Sequence, residues 1–217
     1  MKGIFITFEG TEGCGKSTQI ELLSQRLRAL GYRVRELREP GGTPVGEEIR
    51  HTLKHSKANV AMTPETELLL MNASRAQLVR ETIRPALAAG EIVLSDRFYD
   101  STTAYQGYGR GLDLSLVKSV IDFAVGDTRP NLTLLLHVTP EVSAERLLSR
   151  QSTLPFIRDR MEEGDRNFFA RVAKGYEAIA ASEPDRVRVV DGTDTIVVVC
   201  AKIWEQVQPI LPRVGRW

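Results

Sequence analysis

Cysteine, aromatic residues and surplus charge of one sign are all scarce in this 217-residue chain. Its two cysteines, Cys14 and Cys200, stand in unrelated contexts without metal-ligand spacing. That excludes a disulfide scaffold and a cysteine metal cluster, and reads as two reduced thiols. Lys and Arg total 29 against 28 for Asp and Glu, a net charge of +1. Bulk charge therefore draws the protein neither to nucleic acid nor to an anionic membrane, and any basic residue that matters must act through its placement. No stretch approaches the ~18 apolar residues of a membrane span. Residues 1–8 are too short for the apolar core of a signal peptide. No repeat, low-complexity segment or linker divides the chain. These absences leave one domain over residues 1–217, expected in the cytoplasm, with no nucleic-acid or membrane partner.

What is present is an alternation of two periodicities. Apolar, β-branched runs at residues 4–8, 92–95, 132–138 and 187–190 read as buried strands, and residues 34–37, alternating with arginines, as a fifth. Between them Ile20, Leu23, Leu27 and Leu30 mark one face of a helix that Gly31 stops. Residues 65–89 predict a long helix, disturbed near Pro85. Further helices are expected over 114–124, 140–150, 162–181 and 195–207. Strands alternating with helices predict an α/β fold, a doubly wound parallel five-stranded sheet with helices on both faces. Ligands of such sheets bind beyond the carboxyl ends of the strands.

Directly after the first strand comes Gly10-Thr11-Glu12-Gly13-Cys14-Gly15-Lys16-Ser17-Thr18, leading into a helix. It fits the phosphate-loop pattern G-x-x-x-x-G-K-[ST] in the strand–loop–helix context the pattern requires. Glycines let successive N–H groups turn inward, and the helix adds its positive end. Lys16 is expected to reach the β- and γ-phosphates of a nucleoside triphosphate, with the Ser17 hydroxyl on Mg²⁺. The loop alone leaves kinases, switches and motor ATPases open. Glu12 separates them: a carboxylate inside a polyphosphate cradle makes sense when it points away, toward a hydroxyl of an acceptor sugar.

The strand over 92–95 runs into Asp96 and Arg97. A carboxylate there suits Mg²⁺, and an arginine beside it suits a phosphate gripped by two donors. Metal and arginine together imply a reaction between two phosphorylated molecules. Ser101, Tyr105 and Gln106 lie in a polar, aromatic and Gly-rich stretch that reads either as a binding wall or as an ordinary loop. Arg38 and Arg50 flank a Pro-Gly-Gly turn after the second strand, placed to meet a phosphate. Arg75, in mid-helix, reads on its own as a surface salt bridge. Arg146, Arg150, Arg158, Arg160 and Arg166 gather around a segment between two helices that reads as a lid.

Together these residues resemble the thymidylate kinases. The resemblance covers nearly the whole chain, through the loop at 10–17, the Glu39-Pro-Gly-Gly-Thr43 turn, Arg75, residues 96–111 and Asp159-Arg160-Met161-Glu162. It implies a P-loop NTPase fold with a small lid at about 150–164, and transfer of the γ-phosphoryl group of ATP to dTMP in a Mg²⁺-dependent homodimer. By motif position it implies Ser17, Glu9 and Asp96 around the metal and Arg38 and Arg97 on the dTMP phosphate. Glu12 is then the contact to the 3′-hydroxyl, Tyr105 the residue disfavouring a 2′-hydroxyl, and Arg75 the reader of thymine, with Gln106 in the same pocket. Arg146 is a candidate for the adenine side. Met71 stands where many relatives carry an aromatic residue against the base, which keeps a kinase for another nucleoside monophosphate as the alternative. A nucleotide switch is the more distant one, since no Asn-Lys-x-Asp stretch is present. The loop has no arginine among residues 11–14, so the catalytic arginine is expected from the lid, with Arg158 and Arg150 both candidates.

Overall fold

The computed structural model describes residues 3–56, 59, 61–151 and 166–212. Its centre is one five-stranded sheet, all parallel: β1 Ile4–Glu9, β2 Val34–Arg38, β3 Ile92–Asp96, β4 Leu132–His137 and β5 Val187–Asp191. The strands lie in the order β2-β3-β1-β4-β5. The middle strand β1 is buried along its whole length, as its sequence IFITFE implies for a strand covered on both faces. β2 lies at one edge, which explains its alternating arginines: Arg35 and Arg38 face solvent while Val34 and Leu37 are half-buried.

Alternation along β1 sorts the core into layers. Ile4, Ile6 and Phe8 pack with Ile20, Leu23 and Leu27 of α1 (Lys16–Ala29) and with Val199 and Ile203 of α9 (Ile196–Val207). Leu30, expected on that face of α1, is exposed instead, because α1 has ended by then. Phe5 turns to the other side, against Leu68 and Leu78 of α3 (Pro64–Leu78) and Val117 and Ile121 of α6 (Leu114–Val125). On that side too, α8 (Arg166–Ser182) packs Phe168, Val172 and Tyr176 against Tyr105 and Leu135. α7 (Pro140–Gln151) follows β4. Residues 162–165 of the helix expected from 162 lie outside the described residues, as does nearly all of the lid segment 150–164.

The disturbance expected near Pro85 is present, and two other helical features differ from the sequence expectation. The long helix over 65–89 is α3, a widened π turn at Val79–Ile83 and α4 (Arg84–Ala88), in continuous succession. The widening immediately precedes Pro85, which has no N–H for the regular ladder. An unexpected helix, α2 (Pro44–Lys54), follows the Pro-Gly-Gly turn. Its start is capped by Thr43 Oγ1, which accepts from the Gly46 amide at 3.0 Å, with Pro at the first helical position. Residues 99–109 are a short helix α5 (Tyr99–Thr102) continued by π turns at Thr103–Gly109, helical where an ordinary loop was one of the two readings, and Ser101, Tyr105 and Gln106 on it border a small cavity.

The strand order places the working end. β1 and β3 are neighbours, paired Phe8 to Asp96. The chain leaving β1 crosses to β2 on one side, and the chain leaving β3 crosses to β4 on the other. Their adjacent carboxyl ends form the switch point where open α/β sheets hold ligands. Leu134 is fully buried in the middle of β4 and contacts the α1 layer. Leu134→Ala is expected to lower unfolding free energy by roughly 2–5 kcal/mol in denaturant titration.

Candidate active site

The loop from Gly10 to Ser17 bridges β1 and α1 with Gly10, Gly13 and Gly15 at φ 132°, 74° and 98°. A Cβ at Gly10 would lie 2.3 Å from the Leu136 carbonyl, so only glycine lets the loop pass so close to β4. At Gly15, the N-cap of α1, no atom stands within 4 Å of where a Cβ would be, so the helix end opens into free space. Lys16 is folded over the loop, its Nζ donating to the Gly10 carbonyl at 3.1 Å and the Thr11 carbonyl at 2.9 Å. A cleft of about 780 Å³ lies in front, lined by residues 12–18 of the loop together with Asp96, Arg97, Arg38, Arg50 and Arg146. Arg146 reaches from α7 to the Gly13 carbonyl at 3.5 Å.

Ser17 Oγ donates to Asp96 Oδ2 at 3.1 Å, which joins the start of α1 to the end of β3. This hydroxyl–carboxylate pair is a set of hard oxygen donors, suited to Mg²⁺ that keeps water and phosphate oxygens as its other ligands. Among the described residues no group of three or more His, Cys, Asp or Glu is arranged to hold a metal. Glu9, expected beside the metal, directs its oxygens to other partners. Oε1 accepts from the amides of Phe98 (2.7 Å) and Ser101 (3.3 Å), and Oε2 from Ser101 Oγ (2.5 Å) and the Tyr176 hydroxyl (2.9 Å). Burial, joined by the charge of Asp100, pushes the Glu9 carboxyl up to about 7 against the pull of Arg97.

Arg97 is the one non-glycine residue at positive φ among the described residues, at 73°. The surroundings hold that strained backbone in place. Its amide donates to the Phe8 carbonyl at 2.9 Å. The guanidinium donates to the Gly10 carbonyl (3.0 Å), Ser101 Oγ (3.0 Å), the Tyr176 hydroxyl (3.2 Å), the Tyr105 hydroxyl (3.3 Å) and Glu12 Oε1 (2.6 Å). Glu12 Oε2 also accepts from the Tyr105 hydroxyl at 2.9 Å. Burial raises the Glu12 carboxyl, but Arg97, then Lys16 and the Tyr105 hydroxyl outweigh it and leave it below its ordinary value. Glu12 thus points out of the phosphate cradle, toward Arg97 and Tyr105.

On the far side of that pair lies a cavity of about 30 Å³, bordered by Glu39, Met71, Ser101, Tyr105 and Gln106. Arg75 is deeply buried at 2% exposure, not the surface ion pair its position suggested. It is paired with Glu39 at 2.7 Å and donates further to Asn72, Thr102 and the Phe98 carbonyl. Burial raises the Glu39 carboxyl even though Arg75 pulls it down. Arg38 is exposed and pairs with Glu47 of α2 at 3.1 Å, and Arg50 donates to the Pro40 carbonyl at 2.8 Å. Arg158 lies outside the described residues, and Arg150 stands near the end of α7.

Sequence reasoning brought Gly10 to Thr18, Asp96, Arg97, Ser101 and Tyr105 to one place, and the structure assembles them there. It missed Tyr176, Asn72, Thr102 and Glu67. Tyr176 has no local signal, because it shares the apolar face of α8 with Phe168 and Val172. Glu67 is fully buried in α3, where a carboxylate in the first turn reads as a solvated helix start.

A family model described as thymidylate kinase matches residues 8–203. The chain is 50% identical over 195 residues to a thymidylate kinase of Geobacter sp. (strain M21), covering 89% of this chain and 86% of that one. It is 45% identical over 212 residues to the thymidylate kinase of Geobacter sulfurreducens, covering 97% and 99%. The crystal structure of thymidylate kinase from Ehrlichia chaffeensis is 34% identical, covers 96% of this chain and 99% of its own, and superposes with a TM-score of 0.76.

Because Glu9 holds its proton up to about pH 7 when folded but releases it near 4.5 when unfolded, the folded state binds more protons between those values. Its contribution is complete below the unfolded pKa and is lost as pH rises through the folded one. The Tm of the native chain relative to that of Glu9→Gln is therefore expected to fall as pH rises across that window and to level off above it.

Proposed function

The chain belongs to the thymidylate kinase family, and on that premise we propose how its residues divide the work. It is a nucleoside monophosphate kinase, which transfers the γ-phosphoryl group of ATP to dTMP and forms dTDP. In this reading the loop from Gly10 to Thr18 holds the triphosphate, with Lys16 moving from the loop carbonyls onto the β- and γ-phosphates. Arg146 stands on the donor side. Ser17 and Asp96 would hold Mg²⁺, which when bound offsets charge on the phosphate oxygens. The acceptor lies across the Arg97–Glu12 pair, and that pair is the observation that carries the assignment. Its 2.6 Å contact sits between the phosphate cleft and the small cavity. It offers an arginine to the acceptor phosphate and a carboxylate held ionised to the 3′-hydroxyl. Tyr105, pinned by Glu12, crowds the sugar, which supports exclusion of a 2′-hydroxyl. Met71 covers one side of the base and Gln106 faces its edge. Arg38 and Arg50 border the phosphate cleft beside Arg97, and Arg38 is assigned with Arg97 to the dTMP phosphate. Glu9 acts one step back, by holding Ser101 and Tyr176 against Arg97.

In-line transfer then needs little covalent work from the protein. Arg97 and Lys16 hold the two phosphates at the distance and angle of attack, and an arginine of the segment 150–164, Arg158 or Arg150, adds charge at the moving group. A homodimer is supported by apolar side chains left exposed on adjoining helices: Leu69 on α3 and Leu114, Leu116 and Phe123 on α6. Among the described residues no helix is long and apolar enough to cross a membrane; a cytoplasmic location remains part of the proposal. A kinase for a different monophosphate stays the rival because of Met71.

ADP release assayed with dTMP, dUMP, dCMP and dGMP as competing acceptors tests the reading, with dTMP expected to give the highest kcat/KM. Arg97→Ala is expected to lower kcat roughly 100- to 1,000-fold at saturating substrates, and to lower Tm as well, because Glu12 loses its buried partner. Near-normal kcat would remove Arg97 from its assigned role. Chelation of divalent cations is expected to abolish turnover, and Ser17→Ala to raise the Mg²⁺ concentration needed for half-maximal rate.

A further inference from the structure

Gln106 is completely buried on the π turns after α5, and its side chain is only half satisfied. Nε2 donates to Glu67 Oε1 at 2.7 Å, while Oε1 has no partner and the residue borders the small cavity. A buried acceptor without a donor costs free energy until something supplies one. Glu67 is itself fully buried and is clasped by Arg110, whose Nε and Nη2 donate to its two oxygens at 3.2 and 3.1 Å. Arg110 in turn lies over the Phe168 ring, 4.5 Å from the centroid.

This chain of contacts decides which end of an amide faces the cavity. A carboxylate paired with arginine offers acceptors alone. Turning the Gln106 amide over would set its carbonyl against that carboxylate, so the NH₂ is held on the Glu67 side and the carbonyl is left on the other, its oxygen closed off from solvent and still without a donor where the residue borders the cavity. Thymine and uracil present a ring N3–H, a donor, whereas N3 of cytosine is an acceptor. An acceptor-first amide welcomes the first pair and opposes the second. We propose that Glu67, held by Arg110, is a positioning residue that sets the polarity of Gln106 and thereby the preference of the acceptor site for an imide N–H. The inference rests on the reading above that Gln106 faces the base.

The test compares kcat/KM for dTMP, dUMP and dCMP in the native chain and in Glu67→Gln, whose own amide can donate and so permits the turned-over Gln106. The dTMP/dCMP ratio is expected to fall roughly 10- to 100-fold, the scale set by a buried polar group losing its match. The dTMP/dUMP ratio is expected to stay put, because both bases carry the N3–H. Glu67→Asp, still acceptor-only, is expected to keep the native dTMP/dCMP ratio. In a Gln106→Ala background, adding Glu67→Gln is expected to change that ratio no further. An unchanged dTMP/dCMP ratio in Glu67→Gln, an equal drop in both ratios, or a drop that persists without Gln106 would each overturn the proposal. If Glu67→Gln does not fold, Glu67→Leu with Arg110→Met removes both charges together and serves in the same comparison. Gln106→Ala with undiminished kcat/KM for dTMP would instead sink the underlying reading of the pocket.

Discussion

The guanidinium of Arg97 touches four separate pieces of the chain: the phosphate loop at Gly10 and Glu12, Ser101 on α5, Tyr105 on the π turns and Tyr176 on α8. Each of those pieces has its own reason to be nearby, but one planar fork of donors sets their mutual distances. The backbone bears part of the cost, since Arg97 sits at φ 73° where side chains other than glycine rarely go. Such strain persists only where many contacts over-determine it, and here the contacts are those of the site. The geometry of donor cleft and acceptor cavity depends on that arginine more than on any other residue.

Around it the protein buries several ion pairs. Glu39 with Arg75, Glu67 with Arg110 and Asp100 with Arg186 all lie largely out of water. Pairs of this kind contribute little net stability, because desolvation consumes most of their attraction. They do hold direction. Arg75 is locked by Glu39, Asn72, Thr102 and the Phe98 carbonyl, and Asp100 receives two donors from Arg186. Rigid polar walls that are already desolvated need no rearrangement when a charged acceptor arrives, which is how preorganised sites favour a transition state. The orphaned oxygens of Glu39 and Gln106 mark where such a wall still expects a partner.

Legibility differed with the range of the interaction. The strands were readable because burial on both faces removes polar residues, and β2 was the least regular because it lies at an edge. The start of α2 is also written locally, in the Thr43-Pro44 cap. Residues 99–109 were harder: glycines at 107, 109 and 111 are loop signals, and tertiary contacts with α8 hold the segment in wide helical turns instead. Arg75 was misleading for the opposite reason. Mid-helix arginines usually face water, and nothing near it in sequence reveals Glu39, 36 residues away, as its buried partner.

By itself the sequence determined the phosphate cradle and the sheet that carries it. Glycine placement, a lysine at the loop's end and apolar periodicity act through neighbours within a few residues, so order along the chain is enough. Only the tertiary structure decided which charges leave water, which partner each takes and which way an amide turns. Those outcomes depend on groups brought together across dozens of residues, where a carboxylate's surroundings, not its identity, set its charge and the hydrogen bonds it accepts.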